Sequence, residues 1–213
     1  SDDELEPEAL DVLMAAYAEG KCDFVTASYS EMSEDGTMVK PLPVVRTHGA
    51  PWGRVYSREI WRKLEFPEGF WFEDTVQGYC ISPTYRERYV GKALYRYRIN
   101  RSGISSKCME TKKGLDTFWV VDEMIVWCRE LGIEFNQGLF DRTLRQLGPL
   151  MRDRTLALDS RERAALFVAS CELVSSIPEF ADMEAGMGGR WNDLLLSLRL
   201  RNYQLWRLAV SAL

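Results

Sequence analysis

SDDELEPEALDVLMAAYAEGKCDFVTASY, residues 1 to 29, carries the pattern that decides the fold class. An acidic run opens it. Pro7 suits the first turn of a helix, and Glu6 and Glu8 suit its positive end. Leu10, Leu13, Met14 and Tyr17 follow at helical spacing, and Gly20 can end the helix. No strand is read ahead of it. DFVTASY, residues 23 to 29, is apolar and β-branched, which predicts a buried strand. Glu34-Asp35-Gly36 then reads as a turn. A helix leading into a strand is an α/β pattern.

Working outward, APWGRVY, residues 50 to 56, gives a Pro-Trp-Gly turn running into an apolar pair. Ser57 can cap a short helix containing Ile60, Trp61 and Leu64. Residues 73 to 81 read as a helix, and residues 87 to 90 and 94 to 99 as two strand-like runs. In the second run Tyr95 and Tyr97 alternate with Arg96 and Arg98. From about residue 110 the character becomes helical, over residues 111 to 131, 136 to 158, 160 to 176 and 190 to 212. The expected division is an α/β part over residues 1 to 108 and an all-α extension over residues 109 to 213.

Five scattered cysteines without a CxxC read as reduced thiols, not as a disulfide frame or zinc site. No stretch reads as a signal peptide or a bilayer span, so a cytoplasmic location is expected. The formal net charge of −5 gives no reason to expect a nucleic-acid partner. Charge is uneven, however. Residues 1 to 50 hold eleven acids against three bases, and residues 51 to 110 hold eleven bases against seven acids. Arg86, Arg88, Lys92, Arg96, Arg98 and Arg101 form a local cationic cluster. Such a cluster suggests an anionic small ligand such as a diphosphate; the plainer reading is a solvated strand face.

FWFEDTVQGY, residues 70 to 79, sets Glu73 and Asp74 straight after three aromatics. Charges beside such neighbours are paired, put to use, or placed at a helix start. Asp2 and Asp3 offer hard oxygen ligands of the kind Mg²⁺ or Mn²⁺ prefers. Gly53 permits close backbone approach, and Trp52 can pack or form a sugar platform. His48, the single histidine, reads as exposed or hydrogen-bonded.

Four of these features occur in order: Ser1-Asp2-Asp3, Pro51-Trp52-Gly53-Arg54, Phe72-Glu73-Asp74, and Tyr95-Arg96-Tyr97-Arg98 ahead of RSGISS, residues 101 to 106. The combination resembles the family 2 glycosyltransferases with a GT-A fold. There a DSDD-like run precedes a "lepdaL" helix, followed by "pWgKlY", "Fpeg..yED" and "YyYr...S.s" segments. The resemblance covers roughly residues 1 to 108. Gly103-Ile104-Ser105 departs from the family's "S-[IV]-[ST]" ending.

The resemblance implies a partial GT-A, Rossmann-like half followed by the helical extension. It implies inverting transfer of a sugar from a nucleotide-sugar donor, a UDP-sugar foremost, to a hydroxyl of a glycan or lipid-linked acceptor in cell-surface polysaccharide synthesis. Asp74 would be the general base, with Glu73 supporting it. Asp2 would bind Mn²⁺ or Mg²⁺, with Asp3 beside it. Arg98, Arg101 and Ser105 would face the donor diphosphate, and Trp52, Gly53 and Trp71 the acceptor or sugar. Nucleoside contacts in the family precede the acidic run. The chain is therefore expected to be the C-terminal part of a larger enzyme and inactive alone. The extension is left for acceptor binding, a homo-oligomer, or a peripheral contact at the inner face of a membrane. In RWNDLLLSLRLRNYQLWRLAVSAL, residues 190 to 213, a core helix is favoured over an interfacial one. The rival function is a non-catalytic interaction module built on the helices.

Overall fold

Strand β2, Phe24–Met32, is buried on both faces over its first five residues, which is why residues 23 to 29 read as a near-continuous apolar run. The computed structural model of the chain describes residues 2–41, 49–101, 103 and 107–213. Ser1, His48 and Ser105 lie outside the described residues. The chain divides into two units, residues 1–67 with 74–106 and residues 68–73 with 107–213.

In the first unit a mixed sheet surrounds β2. Strand β1, Glu4–Leu5, precedes it in the chain, and β3, Val39–Pro41, β4, Arg54–Tyr56, and β5, Glu87–Arg98, follow. β5 runs parallel to β2, while β3 and β4 pair antiparallel with opposite ends of β2. β1 pairs antiparallel with β5, Glu4 opposite Arg96 and Leu5 opposite Tyr95. The chain thus has a strand ahead of its first helix, where none was read. Two residues are too few to carry a period, and this strand exists only through its partner. The two runs read over residues 87 to 99 are one strand. Its register against β2 jumps from Val90 to Ala93, so Gly91 and Lys92 bulge and interrupt the alternation.

Helix α1, Ala9–Ala18, covers the sheet by burying Ala9, Leu13 and Ala16 against Val25, Ala27 and Leu94. It begins after Pro7, and Gly20 leaves it at φ 77°. In the following turn Asp35 Oδ1 accepts from Ser33 Oγ at 2.6 Å and Thr37 N at 3.0 Å, with Gly36 at φ 75°. These donors, Ser33 first, hold the Asp35 carboxyl down at about 2. Ile60–Arg62 forms a 3₁₀ turn, with Ser57 Oγ accepting from Glu59 N at 3.3 Å. The helix read from residue 73 winds as a π-helix over Gln77–Ile81.

In the second unit the helices are α2, Asp116–Glu130, α3, Gln137–Arg145, α4, Met151–Arg154, α5, Ser160–Ser175, α6, Arg190–Arg199, and α7, Tyr203–Ser211. Residues 136 to 158 do not form one helix. Pro149 has no amide to donate, and Gly148 takes φ −106° and ψ −108°. A Cβ on Gly148 would stand 2.5 Å from Leu194 Cδ2, so the kink lets α6 approach closely. Residues 190 to 212 also split. Arg201 turns the chain at φ 53°, and Asn202 Oδ1 caps α7 by accepting from Leu205 N at 3.0 Å. Asp159 and Glu162 form a capping box at α5. The core gathers Phe140, Leu144, Leu147, Phe167, Leu194 and Trp206. Among the described residues, no helix is long and apolar enough to cross a membrane.

Arg129, in the last turn of α2, grips Glu179 with two bonds of 2.5 Å. That grip, chiefly its hydrogen bonding, holds the Glu179 carboxyl down at about 2. A depressed carboxyl contributes stability that is present above its unfolded value and is lost as pH falls through the folded one. Glu179→Gln should therefore lower Tm at pH 6, with the gap to wild type closing between about pH 4.5 and pH 2. Thermal scans across that window check this; a gap independent of pH would contradict it.

Candidate functional site

The β1–β5 pairing draws the acidic N-terminal residues against the end of β5. Asp3 Oδ2 accepts from the Tyr95 hydroxyl at 2.5 Å, and Asp3 Oδ1 accepts from Arg98 N at 2.7 Å. Asp2 Oδ2 accepts from Asn100 Nδ2 at 2.7 Å, which is the main reason its carboxyl is held below the usual range. Burial first, and then Asp3, push the Tyr95 hydroxyl well above its ordinary value, so it stays a donor.

Above this end of β5 lies an aromatic slab. Trp52 stacks on Tyr95 with centroids 4.6 Å apart and on Tyr97 at 5.4 Å, and it meets Tyr29 edge-on at 5.0 Å. Gly53 makes the approach possible. It turns at φ 64°, and a Cβ there would sit 3.3 Å from Tyr95 Cβ. Its close backbone approach is thus to Tyr95. A cleft of about 370 Å³ opens here, lined by Asp3, Leu5, Leu10, Gly53, Arg54 and Tyr95. The Arg54 guanidinium lies over the Phe24 ring at 5.5 Å, and burial pulls its pKa down.

Asp74 is half-buried and Glu73 is exposed. Asp74 O accepts from Gln77 N at 2.9 Å, starting the turn that becomes the π-helix. Such π-helical turns often occur at functional sites. Gln77 is fully buried, and its Oε1 accepts from the Tyr56 hydroxyl at 2.7 Å. Burial pushes that hydroxyl up to about 12. The segment after Asp74 is thereby tied to β4, just beyond Trp52 and Gly53. Trp71 is half-buried.

The cationic cluster is not an open anion site. Arg86 pairs with Asp23, Arg88 with Glu19, Lys92 with Glu8, and Arg96 with Glu4 and Glu6. Arg98 pairs with Glu4 and donates to Asp2 O at 2.6 Å and Glu34 O at 3.0 Å. The acids of residues 4 to 23 thus neutralise the bases of β5 and its flank, and the lopsided charge halves are complementary partners within one sheet. Arg98 is consumed in that ladder, whereas Arg101 is exposed.

Asp2 offers one exposed carboxylate of the hard-oxygen kind that a divalent cation prefers, with Oδ2 already accepting from Asn100. Asp3 fits a supporting role better, since both its oxygens are occupied by Tyr95 and Arg98. Among the described residues, no three His, Cys, Asp or Glu side chains gather to hold a metal. Sequence reasoning missed Gln77, Tyr56 and Asn100 as supports. Their bonds join positions 21 or more residues apart, and no local pattern marks them. No family model matches the chain, and no curated protein matches it.

Proposed function

We propose that residues 1–108 are the acceptor-side part of a GT-A-type glycosyltransferase that transfers a sugar, with inversion, from a nucleotide-sugar donor to a hydroxyl acceptor. The observation that supports the reading is the β1–β5 pairing, which brings Asp3 and Tyr95 to one cleft beside Gly53, with Asp2 next to Asp3 in the chain and Trp52 stacked on Tyr95. Asp74 accepts the proton of the acceptor hydroxyl as it attacks the anomeric carbon. Asp2 is the residue that would hold Mn²⁺ or Mg²⁺, and the cation would supply positive charge to offset that of the diphosphate. Asp3, locked by Tyr95 and Arg98, sets the direction of Asp2. Arg101 is the cation left for the diphosphate, and Trp52 offers apolar ring surface to sugar C–H groups. The donor is a UDP-sugar, the acceptor a glycan or lipid-linked glycan of cell-surface polysaccharide, and the compartment cytoplasmic. The neutralised β5 ladder favours the rival, a non-catalytic interaction module, because it removes most of the free positive charge.

A donor screen tests the reading. The enzyme whose acceptor side these residues form is incubated with Mn²⁺, UDP-sugars and acceptor glycans, and UDP release is followed. Acceptor-dependent release is expected, with Asp2→Asn slowing it by about a hundredfold. Wild-type rates in Asp2→Asn remove Asp2 from the chemistry, and release with no donor in the panel favours the rival.

A further inference from the structure

One hydroxyl joins two parts of the site that lie far apart in the chain. Tyr56 donates to Gln77 Oε1 at 2.7 Å, and its oxygen also lies 3.2 Å from Pro51 O. Tyr56 has a single proton to give, so the shorter contact takes the greater share and Pro51 O is the minor acceptor. The Arg54 guanidinium is a further partner of this hydroxyl. Pro51 precedes Trp52, and Gln77 N donates to Asp74 O at 2.9 Å. The Tyr56 oxygen is thus linked to the peptide beside the ring platform and to the turn that carries the acid. Its own ring is held by two others, stacked on Phe24 at 5.7 Å and edge-on to Trp61 at 5.2 Å. Gln77 is fully buried, and its Nε2 donates to Ser82 Oγ at 3.1 Å.

The plainer reading is that this bond only satisfies a buried amide, since an unpaired one is costly. An apolar side chain would fill the same place without that cost, so the amide has to add something that packing does not. Val76, Tyr79, Cys80 and Ile81 already bury the turn, but apolar burial is non-directional. A hydrogen bond fixes a direction. The helix also takes its π form from Gln77 onward, a local departure of the kind often met at functional sites. We propose that Tyr56 and Gln77 form a tie that positions Asp74 against Trp52, so that an acceptor sugar lying on the ring presents its hydroxyl to the carboxylate. This rests on the reading of Asp74 as the base. Both are positioning residues: Tyr56 acts through Gln77 and Pro51, and Gln77 acts through the carbonyl of Asp74. Every group in the tie belongs to the sheet unit.

Tyr56→Phe tests the tie, because it keeps the ring contacts and removes only the hydroxyl. Amide hydrogen exchange on the folded chain, read by NMR without any substrate, reports the turn through the amide at position 77, which donates to Asp74 O. The amide of Leu13, buried in α1, reports the unit as a whole. Tyr56→Phe should raise exchange at position 77 by at least about tenfold and leave Leu13 unchanged. In the transfer assay it should lower kcat at least about tenfold with KM for the donor unchanged. No change at position 77 overturns the proposal. If Leu13 exchange rises as well, Gln77→Met decides, because it breaks the tie at similar bulk and leaves the hydroxyl its partners Arg54 and Pro51. A lowered kcat with Leu13 exchange at the wild-type rate then supports the tie. A wild-type kcat, or a unit loosened again, means that the pair serves the fold alone and overturns it. Asp74→Asn separates the tie from the base. If it loses turnover while Tyr56→Phe keeps the wild-type kcat, the tie is wrong and the base stands. If Asp74→Asn turns over at the wild-type rate, the base reading is wrong and the tie goes with it.

Discussion

Asp74→Asn should reduce sugar transfer by at least about a hundredfold while leaving donor binding intact. The amide keeps the shape of the carboxylate but cannot accept the hydroxyl proton. The neighbouring acid is the internal control. Glu73 is exposed, and an exposed side chain gains little leverage over a reacting group, whereas Asp74 is half-buried and opens an anchored turn. Glu73→Gln should therefore change turnover by no more than about threefold, because its interactions are solvent-screened. The measurement is steady-state kinetics on the two variants, with donor affinity read by calorimetry. Wild-type turnover in Asp74→Asn excludes the general-base role. A loss shared equally by both variants would mean that the pair acts as one charge and not as a base with a neighbour.

Glu73 and Asp74 stand out in the sequence because the signal is local, two carboxylates after an aromatic run, and the structure adds that Asp74 is half-buried and Glu73 exposed. The α1–β2 succession was legible in part. Of Leu10, Leu13, Met14 and Tyr17, Leu13 is buried with the residues of the next strand and Tyr17 packs against them, while Leu10 and Met14 are exposed. Ala9 and Ala16 take the buried positions that the spacing did not single out. What stayed hidden depends on distant partners. The lock on Asp3 joins residues 92 and 95 positions apart, and β1 is a strand only because β5 lies beside it. The neutralisation of the basic cluster could not be read from β5 alone, because the compensating acids lie 63 to 94 residues away. Composition recorded both halves of the charge asymmetry but not that they face each other. Two further differences had local signals that periodicity overrode. Pro149 should break or kink a helix in whose interior it falls, and Asn202 three residues before Leu205 is an ordinary cap. Apolar spacing continued across both breaks because the flanking helices pack on the same core.

Leu198→Asp should unfold the helical unit. Leu198 is 1% exposed on α6, in a layer with Leu194 and Leu195, and α7 adds Trp206, Ala209 and Val210. Trp206 ties that layer to the kink before α4 by donating from Nε1 to Leu147 O at 3.2 Å. An unpaired carboxylate in this setting costs upward of about 4 kcal/mol, a large share of the 5–15 kcal/mol that holds a typical domain together. Loss of the cooperative near-UV transition is the expected readout. The same geometry predicts what lipid will do. Arg199 is occupied by the carbonyls of Ala181 at 2.8 Å and Met183 at 2.5 Å, and Arg201 pairs with Glu172. Their charges are engaged within the unit, and the face carrying Leu194, Leu195, Leu198 and Trp206 is buried, while Leu196, Leu200 and Leu208 stay exposed. Folded protein should therefore stay in the supernatant with anionic vesicles at low salt, and replacing Arg199, Arg201 and Arg207 together by Gln should change nothing there. Attraction carried by exposed charges is screened beyond about 10 Å at 0.1 M salt, so genuine surface binding would betray itself by falling steeply as salt is added. Salt-sensitive pelleting of wild type, lost in the triple variant and kept in a still-folded Leu198→Asp, would mean that α6 and α7 rest on lipid and not on the core.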